Sequence, residues 1–322
     1  MKKLFYTAFL LTLIIAGYAF ISTTPINTRA KLGEKLFFEK ILSKDSSVSC
    51  ASCHKPDFGF ADTSAFSLGI HNRLTKRNTP SVLNMKNRPY FFWDGRAESL
   101  EKQALMPISN PDEMGLPIQE AIERLNKNET YKKLFINIFG TKPNAKNLAA
   151  AFAAFEKTLE TGDSKFDLAF DNKGKLSAQE ERGRQLFLSD ETHCFDCHKR
   201  EDFTTDEFKN IGLYDNDQST DKGRFEITKD SSDLGKFKIP GLRNIALTAP
   251  YMHDGRFKTL EEVVEYYNNT SAFVSNPINI DETVEKPMGL SKQDKTDLVA
   301  FLKTLTGKKQ AAKKQSGNMG GY

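Results

Sequence analysis

Two C-x-x-C-H segments carry the most specific chemistry in this chain: CASCH at residues 50–54 and CFDCH at residues 194–198. This pattern is the attachment signature of a c-type haem, in which both thiols bond to the porphyrin edge and the histidine binds the iron. The predicted attachment residues are Cys50, Cys53, Cys194 and Cys197, and the predicted proximal iron ligands are His54 and His198. The sequence therefore predicts two covalently bound haem c groups.

Other uses of these cysteines fit the sequence less well. A single C-x-x-C pair also occurs in zinc knuckles and in thiol redox proteins. The chain has four cysteines, and the two segments use all of them, so no thiol remains for a disulfide framework. Two copies that are both followed by histidine favour haem attachment over zinc binding or thiol redox chemistry.

The N-terminal 24 residues have the pattern of an export signal. A short basic start, MKK, precedes an apolar run over residues 4–21. We interpret residues 1–24 as a signal peptide or, because the run is near the length that spans a bilayer, as an uncleaved N-terminal anchor. Bacterial haem attachment takes place outside the cytoplasmic membrane, so we expect a periplasmic protein, either free or tethered to the inner membrane.

The charge of the chain argues against nucleic acid as a partner. The formal net charge is only +4, which is small for a protein that binds a polyanion. Much of the excess lies in residues 308–322, which we predict to be a basic disordered tail.

Four sequence blocks occur twice, in the same order in each half of the chain. The pairs are GEKLF (33–37) with GRQLF (183–187), the two C-x-x-C-H segments, PYFFWDGR (89–96) with PYMHDGR (250–256), and AAFEKTL (153–159) with VAFLKTL (299–305). This duplication predicts a mostly α fold of two tandem cytochrome c-like haem domains with long loops. We place the domains at residues 25–165 and 166–307, with a linker at 161–176. Ser177 and Glu180 predict a capping box at the start of the next helix.

The two copies differ at positions that bear on function. The first copy carries Trp93, the only tryptophan of the chain, where the second has His253. A lone tryptophan is commonly a buried aromatic, but between two haems an indole could also relay electrons. The first copy also holds Gln103 and Glu113. A carboxyl group above a porphyrin would have a raised pKa suited to proton transfer, whereas composition alone makes Glu113 a surface acid of a loop.

Three segments of the first half resemble the bacterial di-haem cytochrome c peroxidases, a family that includes the methylamine-utilisation di-haem enzymes. They are RNTPSVLN (77–84), FWDGRA (92–97) and NPDEMG (110–115). The resemblance covers residues 31–307, with the motifs in order in both halves. It implies a peroxidatic N-terminal haem and a C-terminal haem that stores and delivers an electron.

The resemblance also implies roles for individual residues. Glu113 and Gln103 would lie over the open face of the N-terminal haem, with Phe92 and Pro107 shaping that pocket, and Trp93 would lie between the two irons. A calcium ion is expected near the inter-haem interface, an all-oxygen site suited to a hard cation. Its predicted ligands are the side chain of Asn78 and the carbonyl groups of Thr248 and Pro250.

Two axial positions distinguish the branches of the family. His71 matches a loop histidine that caps the peroxidatic iron at rest, although a lone loop histidine is also commonly solvated. Tyr267 matches the position of the sixth ligand of the C-terminal haem, as in the methylamine-utilisation branch. The alternative is that Tyr267 is an interface aromatic and that Met288 or Met252 binds this iron.

We therefore expect a periplasmic di-haem peroxidase that reduces hydrogen peroxide to water. Its electrons would come from a small redox protein, a cytochrome c or a cupredoxin, and the family suggests a homodimer. Two alternatives remain at this point. One is a methylamine-utilisation-type oxidase that acts on a protein or small-molecule substrate, and the other is a non-catalytic di-haem electron carrier.

Overall fold

The computed structural model describes residues 26–214, 220–274 and 277–309. The predicted export segment, 1–24, and most of the predicted tail lie outside these ranges. Within them, no helix is both long enough and apolar enough to cross a membrane.

The described chain is mostly helical, as predicted, and forms two similar units in tandem. The first unit contains α1 (Arg29–Phe38), α2 (Cys50–Cys53), α3 (Leu100–Ser109), α4 (Ile118–Lys127), α5 (Glu129–Phe139) and α6 (Ala145–Glu156). The second contains α7 (Lys165–Phe170), α8 (Ala178–Phe187), α9 (Cys194–Cys197), α10 (Phe225–Thr228), α11 (Leu260–Asn268), α12 (Glu282–Glu285) and α13 (Lys292–Lys303). Four two-residue strands form two antiparallel pairs: β1 (Thr161–Gly162) with β4 (Lys308–Lys309), and β2 (Phe208–Lys209) with β3 (Phe237–Lys238).

The same helix pair forms the centre of each unit. In the first, α1 packs on α6 through a core that includes Leu36, Phe37 and Phe152. In the second, α8 packs on α13 through a core that includes Phe187 and Phe301. The apolar residues recur at helical spacing, so each helix presents one apolar face to its partner. The repeated blocks at the starts and ends of the units therefore correspond to this pair of helices.

A glycine permits the close approach of the helices in both units. A Cβ on Gly33 of α1 would collide with the carbonyl oxygen of Ala151 in α6, and a Cβ on Gly183 of α8 would collide with the carbonyl oxygen of Asp297 in α13. The two collisions involve equivalent atoms. This equivalence confirms that the sequence repeat is a structural duplication.

Gly33→Ala is expected to lower the free energy of unfolding by about 1–3 kcal/mol, because the backbones of α1 and α6 must move apart to admit the methyl group. Thermal unfolding of the haem-loaded protein measures the change. Glu34→Ala, on the same helix with a side chain that is 39% exposed, is the control and should change stability by less than about 0.5 kcal/mol. If Gly33→Ala and Glu34→Ala prove equally stable, the close contact between α1 and α6 at Gly33 is contradicted.

The structure confirms the predicted helix start and corrects two other predictions. Ser177 and Glu180 form the capping box at the start of α8. The predicted linker, 161–176, is too long, because α7 lies inside it and Phe166 packs edge-on against Phe301 in the core of the second unit. The tail prediction is wrong for its first two residues, because Lys308 and Lys309 form β4 and pair with β1.

Two arginines of the first unit bind carboxylates of the second. Arg77 makes a two-pronged contact with Asp221, with both nitrogen–oxygen distances at 2.6 Å. Arg88 lies 2.9 Å from Asp206, and both side chains are only 8% exposed. Buried arginine–carboxylate pairs of this kind fix orientation because the planar guanidinium matches the carboxylate. They hold the two units in one arrangement around the site described next.

Candidate haem-binding and catalytic site

Each C-x-x-C-H segment forms one helical turn with its histidine held by a backbone carbonyl. His54 Nδ1 lies 3.1 Å from the carbonyl oxygen of Phe60, and His198 Nδ1 lies 2.9 Å from that of Phe203. The carbonyl must accept, so Nδ1 carries the proton and Nε2 is left unprotonated to bind a metal. Burial lowers the pKa of both imidazoles, that of His198 to about 4, so both are in the neutral form that binds iron.

One cavity of about 1200 Å³ reaches both C-x-x-C-H segments. Its volume exceeds the roughly 300–1,000 Å³ of an ordinary ligand pocket. The predicted haem-binding residues that line it are Cys50, Cys53, His54, Cys194, Cys197 and His198. Free thiols, neutral imidazoles with an available Nε2 and a continuous cavity are what two covalently bound haem groups require. The residues present therefore fit the predicted cofactors.

The predicted catalytic residues of the first unit converge on this cavity. Helix α3 carries Gln103 and Pro107, the loop after it carries Glu113, and Phe92 lies on the preceding loop; all four line the cavity. The loop is held by backbone hydrogen bonds, including one from Met114 to the carbonyl of Pro107. The structure therefore brings together the residues that the sequence places up to 21 positions apart, from 92 to 113.

Glu113 is a partly buried carboxyl group that lines the cavity, rather than a surface acid. Burial raises its pKa, although the side chain of Asn110 donates a hydrogen bond of 2.6 Å to Oε1 and, together with Arg96, opposes the rise. With Oε1 occupied by this donor, Oε2 is the oxygen that can hold a proton. A carboxyl group whose pKa is raised in this way is better suited to donate and accept protons than a solvated one.

An aromatic contact between Trp93 and His253 connects the two units inside the cavity. The indole Nε1 of Trp93 donates to the carbonyl oxygen of Asn78 at 2.9 Å, which fixes the ring. Trp93 meets His253 edge-on, with ring centroids 6.5 Å apart, and His253 stacks on Phe237 at 3.7 Å. Trp93 and His253, which occupy matching positions in the two copies, thus contact each other.

Sequence reasoning missed part of this contact. His253 was visible as the counterpart of Trp93, but the sequence carries no signal that the two rings meet. Phe237 stands outside every repeated block, and only the fold shows its contact with His253. Burial lowers the pKa of His253 to about 4, so the ring in the stack is neutral.

The structure does not bring His71 to the haem cavity. Its side chain is 59% exposed and its Nδ1 lies 3.6 Å from a carboxylate oxygen of Asp45. Neighbouring Gly69 and Leu74 line the cavity, but His71 does not. The structure therefore does not place His71 where it could bind the N-terminal iron. The backbone at His71 is left-handed (φ 53°), and the ring faces solvent.

Tyr267 lies on the cavity side of α11. Burial raises its pKa far above the ordinary value, with Tyr266, Cys197 and Cys194 contributing in the same direction. The adjacent Tyr266 is fully buried and donates to the carbonyl oxygen of Ile211 at 2.6 Å. Met252 and Met288, the alternative ligands, also line the cavity. The position of Tyr267 is thus compatible with its predicted role at the C-terminal haem.

The three residues predicted to bind calcium also line the cavity. The side-chain nitrogen of Asn78 donates to the carbonyl oxygens of Ser64 and Ala65, at 3.2 and 3.3 Å, which leaves Oδ1 for another partner. Pro250 forms a cis peptide bond with Ala249 on the facing unit, and Thr248 directly precedes this pair. The described residues contain no cluster of three or more His, Cys, Asp or Glu side chains that could hold a metal, so any cation here depends on amide and carbonyl oxygens.

Comparisons with known proteins point to one family. The family described as di-haem cytochrome c peroxidase matches residues 27–175. The methylamine utilization protein MauG of Methylorubrum extorquens is 39% identical over 281 residues, which cover 86% of this chain and 78% of the relative. The cytochrome c551 peroxidase of Nitrosomonas europaea is 34% identical over 291 residues, which cover 89% of this chain and 82% of the relative.

Solved structures agree with the sequence matches. A MauG-like protein associated with microbial copper homeostasis is 32% identical with a TM-score of 0.77, covering 87% of this chain and 89% of that chain. The diheme peroxidase BthA from Burkholderia thailandensis is 25% identical with a TM-score of 0.78, covering 87% of this chain and 86% of that chain. With two haem-attachment turns on one cavity and relatives of this similarity along most of its length, the chain belongs to the di-haem cytochrome c peroxidase family.

Proposed function

We propose that this protein reduces hydrogen peroxide to water at the N-terminal haem, with electrons that arrive through the C-terminal haem. The observation that carries the proposal is the partly buried carboxyl group of Glu113, which lines the cavity of the Cys50–Cys53 turn together with Gln103. A protein that only carries electrons has no use for a proton-transferring acid above one haem. The relatives that are named cytochrome c peroxidases support the same class of oxidoreductase.

The side chains around the N-terminal haem supply proton transfer and orientation. The haem iron, when bound, supplies the electron transfer that breaks the O–O bond. With peroxide bound in the cavity, Glu113 would take a proton from one peroxide oxygen and return it to the other, which would then leave as water. The amide of Gln103 is placed to orient the bound peroxide. The overall reaction consumes two electrons and two protons for each peroxide and yields two waters.

The contact between Trp93 and His253 supports a route for electrons between the two haem sites. The ring centroids are 6.5 Å apart, and the indole is fixed by its hydrogen bond to Asn78. We propose that Trp93 relays electrons from the C-terminal to the N-terminal haem. The donor would be a small periplasmic cytochrome c or cupredoxin. The export segment and covalent haem attachment support that location, and the proposed calcium ion at Asn78, Thr248 and Pro250 would brace the same interface.

Tyr267 favours a second candidate function. Tyr267 lines the cavity, and the charges of Cys194 and Cys197 contribute to its raised pKa. At the C-terminal haem a phenolate would stabilise oxidised iron more than a thioether does. Together with the 39% identity to MauG of Methylorubrum extorquens, this position supports an enzyme that keeps its oxidising equivalents for a protein or small-molecule substrate.

Steady-state peroxide consumption with a reduced cytochrome c donor tests the proposal and separates the alternatives. Sustained turnover, with one peroxide consumed for every two donor molecules oxidised, is the result expected for a peroxidase. Slow turnover with a long-lived oxidised spectrum after peroxide addition would favour the MauG-type function. If neither peroxide consumption nor a spectral change occurs, the proposed function is wrong.

A further inference from the structure

Glu156 is a buried carboxyl group in the N-terminal haem cavity that the proposed reaction does not use. It is the last residue of α6, lines the cavity and is only 5% exposed. Its Oε2 atom is buried and has no hydrogen-bond partner among the described residues. An unpartnered buried polar atom is uncommon in folded proteins and calls for an explanation, such as a role in redox chemistry or catalysis.

The surroundings of Glu156 do not provide a counter-charge. The buried residues of α1 and α4, which pack against α6, are all apolar or glycine. Helix α3 contributes Glu101, but this carboxylate binds Lys157 at 2.8 Å, so the nearest cation is already paired. Cys50 of α2 is close enough for the charge of Glu156 to raise the pKa of its thiol, and Glu113 acts on Cys50 in the same way.

Burial without a counter-charge makes the ionisation of Glu156 sensitive to nearby charge. Burial raises its pKa to about 8, Glu101 adds to the rise and Lys157 opposes it. Glu156 lines the same cavity as Cys50, the predicted attachment residue, and its charge contributes to the raised pKa of the Cys50 thiol. A change of charge at that site would therefore act on Glu156 through a medium of low dielectric constant.

The second copy shows that the fold does not require a carboxyl group here. Leu302, near the end of α13, stands at the matching position of the repeat, and it also lines the cavity. An apolar side chain therefore satisfies the packing of this position. Because a buried carboxyl group without a partner lowers stability, its presence in the first copy alone points to a role at the N-terminal haem.

We propose that Glu156 is a proton acceptor coupled to the oxidation state of the N-terminal haem. At a pH at which Glu156 is ionised in the ferric protein, one electron from the redox-protein donor reduces the ferric iron to ferrous, and one proton moves from solvent to the carboxylate of Glu156. The charge added by the electron is balanced by the proton, and oxidation of the iron releases that proton again. The inference rests on haem binding in the first unit and does not depend on peroxide as the substrate.

Redox titration of the holoprotein at several pH values tests this coupling. The midpoint potential of the N-terminal haem is expected to fall as pH rises, because reduction takes up a proton. For one electron and one proton the slope approaches about 59 mV per pH unit, the value of a tenfold change for one electron. In Glu156→Gln, which keeps the shape and the neutral state, this slope should disappear. The C-terminal haem, with Leu302 at the matching position, is the internal control and should keep its pH dependence in the variant.

Two further variants separate Glu156 from its acidic neighbours. Glu101→Gln removes the exposed carboxylate of the Lys157 pair and should leave the slope in place. Glu113→Gln removes the other acid of the cavity. The pH slope should remain in this variant, whereas it should disappear in Glu156→Gln. If Glu156→Gln disturbs haem attachment, Glu156→Leu, which reproduces the second copy, replaces it. The proposal is overturned if the N-terminal haem keeps the wild-type slope in the Glu156 variants, or if the slope is lost only in Glu113→Gln.

Discussion

Glu113→Gln is expected to lower the rate of peroxide turnover by about 10²–10⁴-fold, the usual contribution of a positioned acid–base group. The amide can still accept a hydrogen bond from Asn110, so the loop around it should keep its shape. It cannot take a proton from one peroxide oxygen and return it to the other. Steady-state kinetics with a reduced cytochrome c donor measures the loss, and both haems should remain attached.

The neighbouring acids provide the control for this result. Glu98→Gln changes a carboxylate that is 67% exposed and paired with Lys102, so it should leave turnover unchanged. If Glu113→Gln retains wild-type turnover, Glu113 has no acid–base role and the reaction proposed here loses its proton carrier. A loss of haem in the variant, detected by its absorption spectrum, would instead indicate a structural role.

Tyr267→Phe is expected to change the absorption spectrum, the electron paramagnetic resonance spectrum and the potential of the C-terminal haem alone. Removing an anionic phenolate destabilises ferric iron, so the potential should rise by on the order of 0.1 V, well within the roughly 0.8 V that axial ligands span. The N-terminal haem should keep its spectrum, because Tyr267 lies in the part of the cavity near Cys194 and Cys197.

The adjacent tyrosine is a matched control for this experiment. Tyr266→Phe removes the hydrogen bond from its hydroxyl to the carbonyl oxygen of Ile211 and should lower stability by about 1–3 kcal/mol because it leaves a buried acceptor without a donor. It should not alter the spectrum of either haem. If Tyr267→Phe also leaves both spectra unchanged, Tyr267 is not a ligand, and Met252 and Met288 become the candidates to substitute next.

The roles proposed for Glu113 and Glu156 at the N-terminal site are different. Glu113 shares the cavity with Gln103, and its Oε1 is held by Asn110, so it can act on the bound substrate. Glu156 has an unpartnered Oε2 and influences Cys50, so it can respond to the charge of the haem itself. The two roles predict different readouts, a turnover rate for the first and a potential for the second.

Local chemistry made much of this molecule predictable from its sequence. The C-x-x-C-H spacing places two thiols and an imidazole within one helical turn, so it identifies the haem sites without knowledge of the fold. The capping box of Ser177 and Glu180 is equally local, and the structure confirms it. The repeated blocks predicted two similar units, and the equivalent contacts of Gly33 and Gly183 confirm them.

Features that depend on long-range packing could not be predicted in the same way. The matching positions of Trp93 and His253 were visible, but their contact depends on how one unit packs on the other, which ion pairs such as Arg77 with Asp221 fix. His71 shares a loop with cavity residues, yet its backbone conformation accompanies a ring that faces solvent. Neither a dihedral angle nor an interface can be read from residue spacing.

The sequence by itself thus determined the two haem c groups, the duplication and the differences between the two halves, because each depends on residue type at short spacing. Only the tertiary structure decided which side chains share the cavity. It buried Glu156, placed Glu113 in the cavity, left the ring of His71 exposed and brought both Trp93 and Phe237 into contact with His253. The physical reason is that burial, pKa and ring contact depend on neighbours that are distant in the chain and meet only when the two units pack together.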